Sequence, residues 1–381
     1  MKAQVGVSIA GLTLATTLLV AGCGNAHESG ARLNSAKGHG SATLATAAGM
    51  YVGWTTRPRV SRTDSTVTYG RESTNLPSVT QSLGQYTEVQ PIRGSSSDKP
   101  ILLTQSQLTG PSLVWLNGAT GVVSSRVALQ GVASSKGMLV EGVQVLFAQA
   151  GTLMSVDSTG KTTTLGALPR FASRPSTNKG TTRDTVQLTG LISLPSRRVA
   201  SLTNGSQAAL ADLSSRNVSL LGAYSYASDL VLGGNGDFYC LAWSGTDSTG
   251  TVHVLRLNGA NLAVIDDLDT HISTGAAEKT QLDTTSASSW GQGAAFLLTS
   301  SAFGGGGPVT QDVYAPDPQG AIRRLAELTD RGLWSAIVGD DLLLYGGTAG
   351  GMGTMVNLLT GADDGQPTLS PSGSQTTFVI P

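Results

Sequence analysis

The strongest constraint on how this chain can fold is a unit that recurs along it. Each copy has a short apolar run, a strongly apolar second run, a third run ending in a tight turn, and a weaker final strand. In the clearest copy, Leu230 to Leu268, LVLGG leads through the turn Asn235-Gly236-Asp237 into FYCLAW. TVHVLRL follows, and Asn258-Gly259 turns the chain into NLAVIDDL. With Asn117, Asp157, Asp212, Asn258, Asp317 and Thr360 as markers of the third-run turn, copies recur roughly every 40 to 60 residues. Asn, Asp and Gly suit these positions because they tolerate positive φ where a chain reverses. The second runs VQVLFA, FYCLAW, AAFLLT and DLLLY are nearly continuous in apolar residues. A strand covered on both faces has that composition.

A four-stranded unit repeated at this period predicts an all-β fold, a β-propeller of four-stranded blades. Six units fit between about Tyr86 and Thr368. A seventh follows if TTFVIP at the C-terminus pairs with three N-terminal runs, MYVGWTT, the segment around Ser65 to Tyr69, and LPSVTQSL. Such pairing would close the ring and remove its open edges. Seven blades is the expectation, with six and eight as alternatives. The turns at Asn117 to Gly121 and Asp157 to Gly160 resemble the PQQ-like and YVTN-type propeller repeats, in which an apolar strand ends in Asp-x-x-Thr-Gly. The repeats lack the tryptophan docking positions of PQQ repeats and the GH and WD dipeptides of WD40 repeats. The resemblance therefore speaks for architecture and not for an activity.

The N-terminus has its own signature. Lys2 precedes an apolar run from Val5 to Ala21, the layout of a secretory signal. The run ends in Val20-Ala21-Gly22-Cys23, which resembles the lipobox of bacterial lipoproteins. That resemblance implies cleavage after Gly22, a diacylglycerol on the thiol of Cys23, and residence on the extracytoplasmic side of a bacterial cell membrane. Two acyl chains make such anchoring stable where one is marginal. Residues 1–22 are thus read as signal peptide, 23–46 as the lipidated N-terminus and a flexible tether, and 47–381 as the propeller. The small polar tether would separate its ends by about 25 Å as a random coil. Cys240, the other cysteine, lies in an apolar run and reads as a buried inert thiol.

Charged residues make up 13% of the chain and the net charge is -1, so a nucleic-acid partner is not expected. In a propeller, loops joining second to third strands and loops joining blades open on one face. The long segments 169–184, 270–286, 301–309 and 346–353 would all fall there. They carry Arg170, Arg174, Lys179 and Arg183, then His271, Glu278 and Lys279, and Phe303 before four glycines. Binding residues collect on loops held by a rigid scaffold, so this face is the candidate surface for a protein, peptide or glycan. Glu88, Asp184, Asp229 and Arg331, near the starts of innermost strands, would ring the mouth of the central channel.

Enzymatic features are sparse. Of four histidines, His27 and His39 fall in the tether and His253 within a third strand, so a Ser-His-Asp site would rest on His271. No zinc spacing, calcium loop or cofactor cradle is present, and neither metal nor cofactor is expected. Asp266, Asp267 and Asp269 read as charges guarding an outermost strand. The residues favour a binding module; the alternative is an extracellular hydrolase or lyase with its site at the channel mouth.

Overall fold

The computed structural model describes residues 51–56, 65–71, 79–84, 87–96, 98–106, 110–130, 135–172, 186–246, 249–274, 280–290, 293–302, 310–317, 319–329, 334–338, 341–345, 354–357, 361–365 and 376–380. Cys23, the signal segment and the tether lie outside the described residues.

The strands among the described residues form seven four-stranded antiparallel sheets. The first holds β1 (Tyr51–Thr56), β2 (Ser65–Arg71) and β3 (Val79–Gly84), with β28 (Thr376–Ile380) in the order β28-β1-β2-β3. Each of the others uses four consecutive strands in chain order. The second has β4 (Thr87–Pro91), β5 (Ile101–Ser106), β6 (Gly110–Leu116) and β7 (Val123–Ala128). The third has β8 (Leu139–Glu141), β9 (Gln144–Gln149), β10 (Thr152–Asp157) and β11 (Thr162–Ala167). The fourth has β12 (Gln187–Leu194), β13 (Arg197–Thr203), β14 (Ala208–Asp212) and β15 (Asn217–Leu220). The fifth has β16 (Tyr224–Leu232), β17 (Phe238–Thr246), β18 (Thr249–Leu257) and β19 (Val264–Thr274). The sixth has β20 (Thr280–Trp290), β21 (Gly293–Ala302), β22 (Thr310–Pro316) and β23 (Ile322–Thr329). The seventh has β24 (Trp334–Val338), β25 (Asp341–Tyr345), β26 (Thr354–Asn357) and β27 (Asp363–Gly365).

The continuous apolar runs are explained by how the sheets stack. Side chains alternate between the faces of a strand. Along β17, Phe238, Cys240 and Ala242 pack with Val199, Ala208 and Leu210 of the fourth sheet. The residues between them, Tyr239 and Leu241, pack with Phe296 and Leu298 of the sixth. Likewise Val199 on β13 faces the fifth sheet, while Ala200 and Leu202 face Leu139 and Leu146 of the third. Ile101, Leu103 and Trp115 of the second sheet pack with Val145 and Phe147 of the third, and Leu297 and Val313 of the sixth with Val356 of the seventh. Each large apolar side chain so buried contributes about 1.5–3 kcal/mol. The second through seventh sheets are therefore layered face to face in chain order. β28 also touches β4 and β24.

The third-to-fourth-strand turns share one device. Asn117 Oδ1 accepts from the N–H groups of Ala119 and Thr120. Asp157 accepts from Thr159 and Lys161, Asp212 from Ser214 and Ser215, Asn258 from Ala260 and Asn261, and Asp317 from Gln319 and Ala321. Each side chain satisfies backbone donors that the reversal leaves without a ladder partner. In the seventh sheet the corresponding residue is Asn357, whose N–H donates to Ala362 O and whose carbonyl accepts from Gly361 N. Asn357, and not Thr360, is thus the marker of the last turn; Thr360 lies outside the described residues. Left-handed residues close these turns: Gly121, Gly160, Gly320 and Gly361, but Arg216 (φ +62°) and Leu262 (φ +62°) in the fourth and fifth sheets.

Candidate functional site

Because each of these sheets is a meander, its second-to-third-strand connection and its links to neighbouring sheets leave from one end. The third-to-fourth turns leave from the other. The first end carries 168–186, 303–309 and 346–353 between strands. Arg170 follows β11 and is exposed. Arg174, Lys179, Arg183, Asp184, Glu278, Lys279, Phe303 and Arg331 lie outside the described residues.

The segment 270–286 is not a long loop. β19 runs to Thr274 and β20 begins at Thr280, so His271 belongs to an outermost strand. Its Ser- and Thr-rich sequence pairs because β18 supplies partners, Gly250 opposite Thr274 and Thr251 opposite Ser273. Between these rungs and His253 opposite Asp269, β19 carries extra residues. Thr270 and Ile272 turn inward and the exposed His271 adopts φ +57°. Its N–H donates to Asp269 Oδ1 at 2.7 Å.

Of the residues assigned to the channel mouth, Glu88 lies on β4 opposite Gln105. Asp229 is buried. It sits within β16 at a register shift, 3% exposed, with φ +55°. Lys136, in the 3-10 turn Ser135–Gly137 before β8, places Nζ 2.8 Å from Asp229 Oδ2. Ser228 Oγ donates to the same oxygen at 2.6 Å. Arg93, just after β4, donates to Leu230 O beside it. Burial works to raise the Asp229 pKa, but the charges of Lys136 and Arg93 and the donated hydrogen bonds outweigh it and hold the carboxyl below its ordinary value. Groups from the second, third and fifth sheets thus converge on one buried carboxylate.

A second polar array lies wholly within the fifth sheet, on the face that packs against the fourth. Tyr224 stands at the start of β16, Ser244 on β17, His253 on β18 and Asp267 on β19. Ser244 Oγ lies 3.0 Å from His253 Nε2, and His253 Nδ1 lies 2.8 Å from Asp267 Oδ1. Tyr224 donates its hydroxyl to Asp267 Oδ2, and its ring meets the imidazole edge-on with centroids 5.2 Å apart. Burial, then the hydrogen bond to Asp267, pushes the Tyr224 pKa up, so the phenol stays a donor. The His253 side chain is 14% exposed and that of Asp267 42%. A Ser-His-Asp arrangement therefore involves His253 and not His271. The missed signal was register: a β18 residue two positions before Leu255 shares its face, and Asp267 stands opposite Leu255. Among the described residues, no group of three or more His, Cys, Asp or Glu side chains could hold a metal ion.

These sheets define a β-propeller-type fold, and several solved structures are similar to the chain. A protein provisionally named 6-phosphogluconolactonase from Bacteroides uniformis superposes with a TM-score of 0.52 at 14% identity, covering 87% of this chain and 98% of its own. A similarly named protein from Bacteroides fragilis gives a TM-score of 0.47 at 13% identity, covering 82% and 92%. BamB from Moraxella catarrhalis gives 0.41 at 13% identity, covering 77% and 80%. No family model and no curated protein matches the chain. At such identities the likeness concerns the fold alone.

Proposed function

We propose that this protein is an extracytoplasmic lipoprotein, held on a bacterial membrane by diacylglycerol on Cys23, whose propeller presents one loop-bearing rim to a protein, peptide or glycan partner. The ring in this reading has seven blades and is closed by the pairing of β28 with β1. Three observations support closure: the pairing Tyr51 opposite Ile380, the position of β28 beside both β4 and β24, and the reach of Arg93 from the second sheet to Leu230 in the fifth. A side chain spans that interval most directly across an axis.

The observation that carries the binding assignment is the asymmetry of the two sheet ends. Asx-closed turns occupy one, and the variable connections gather at the other, where Arg170 stands exposed. Rigid scaffolds place recognition on such loops. The experiment has two parts. Mass spectrometry of the mature N-terminus should find Cys23 carrying the lipid, and an unmodified N-terminus removes the anchor. Cross-linking on intact cells should trap a defined partner with wild-type protein and lose it in an Arg170→Glu, Arg174→Glu variant; equal trapping removes that loop from the interface.

A further inference from the structure

We propose that Ser244, His253 and Asp267 form a nucleophilic triad that hydrolyses short acyl esters at the partly exposed margin of the fifth sheet. This goes beyond partner binding and uses a different part of the molecule.

The hydrogen bonds set the proton positions. An ionised carboxylate only accepts, so in neutral His253 the proton is on Nδ1, directed at Asp267 Oδ1 2.8 Å away. The Nε2 lone pair then faces Ser244 Oγ at 3.0 Å. That is the order of nucleophile, base and orienting group that activates a serine, and it is recognised by geometry, not by sequence position. The other polar neighbour of Ser244 Oγ is the Thr251 carbonyl at 3.4 Å. That longer contact competes only weakly with Nε2 for the hydroxyl proton. Tyr224, the rung partner of Ser244, donates to the second oxygen of Asp267 and meets the imidazole edge-on, so it fixes both the orienting carboxylate and the base.

The backbone beyond Ser244 is equally particular. Gly245 has φ +112°, and a Cβ on Gly250, its rung partner, would lie 2.2 Å from Ser244 O. Glycine at both positions permits this close approach of the two strands, and Gly245, next to the nucleophile, is exposed. The aromatic ring of Tyr224, opposite Ser244 on the neighbouring strand, suits a small uncharged acyl group.

In the first step Ser244 Oγ bonds to the ester carbonyl carbon while its proton passes to His253 Nε2. The alcohol leaves with that proton. Water then attacks the acyl-serine, giving a proton to Nε2, and the carboxylic acid departs as Ser244 Oγ regains it. No oxidant, metal or further reactant is consumed.

The test uses the full chain in detergent with p-nitrophenyl acetate and a fluorophosphonate probe. Wild type should release p-nitrophenol with turnover, and peptide mapping should find the phosphonyl group on Ser244. Ser244→Ala should abolish both. Asp267→Asn should lower kcat by about 1,000-fold or more with KM nearly unchanged, because it reverses the imidazole held at 2.8 Å from Asp267 without altering Ser244. Thermal unfolding of each variant separates loss of chemistry from loss of fold. No adduct on Ser244 in folded wild-type protein, or an adduct that forms equally fast in His253→Gln, overturns the proposal.

Discussion

Asp229 offers the sharpest test of how the sheets are held together. Asp229→Asn keeps the side-chain shape and a residue type that tolerates φ +55°, so the perturbation is the charge alone. The carboxylate is 3% exposed and bonded to Lys136 at 2.8 Å and Ser228 at 2.6 Å, with the Arg93 guanidinium nearby. Removing one member of a buried ion pair costs about 3–5 kcal/mol. Lys136 is 38% exposed and can rehydrate, which puts this case at the low end, about 3 kcal/mol. For a domain of this size that corresponds to a fall in Tm of roughly 6 °C. The pH dependence carries a sign. The folded-state pKa lies below the ordinary value, so the wild-type advantage is complete above about pH 4 and shrinks as pH falls through the folded-state value. Urea unfolding at pH 7 and at acidic pH measures both. A difference under about 0.5 kcal/mol at pH 7, within surface-mutation scatter, or an equal gap at both pH values, would refute the reasoning.

Three further outcomes are expected. Arg216→Gly, at an exposed left-handed turn position where the other sheets mostly use glycine, should raise stability by about 0.5–1 kcal/mol in calorimetry, since the relieved backbone strain exceeds the added chain entropy. Glu141→Gln cuts the bridge to Arg198 between the third and fourth sheets, 2.7 Å long and about one-third exposed; it should cost about 1 kcal/mol or less. Because the Arg198 hydrogen bond holds the Glu141 pKa down, that loss should appear at neutral pH and fade in acid. Cys240 is fully buried and its thiol pKa is pushed up by burial, then by the Asp229 charge, so a thiol reagent should modify it only at the rate of unfolding; rapid labelling of native protein contradicts this.

The repeat was legible because its causes are local. Asn117, Asp157, Asp212, Asn258 and Asp317 close their turns with their own side chains, within four residues of chain. FYCLAW announced a strand covered on both faces because the alternation of side chains is a property of the strand itself. The all-β class followed from these features, as did the burial of Cys240. Residues 271–274 and 280–290 were not readable as strands, since serine and threonine there gain order from the rungs that β18 and β21 provide. In the last turn the residue equivalent to the other markers is Asn357, three positions before Thr360, whose Thr-Gly pair carried the sequence signal.

Sequence by itself therefore determined the repeating strand pattern, the turn chemistry and the lipobox-like N-terminus, all set by residues near one another in the chain. Only the tertiary structure decided that Arg93, Lys136 and Asp229 meet at one carboxylate, and that Ser244, His253 and Asp267 line up across three strands. Both arrangements depend on register and on which sheet faces which. A one-residue slip would send every side chain of a strand to the opposite face, and that choice is made by packing between sheets, which no short stretch of the chain encodes.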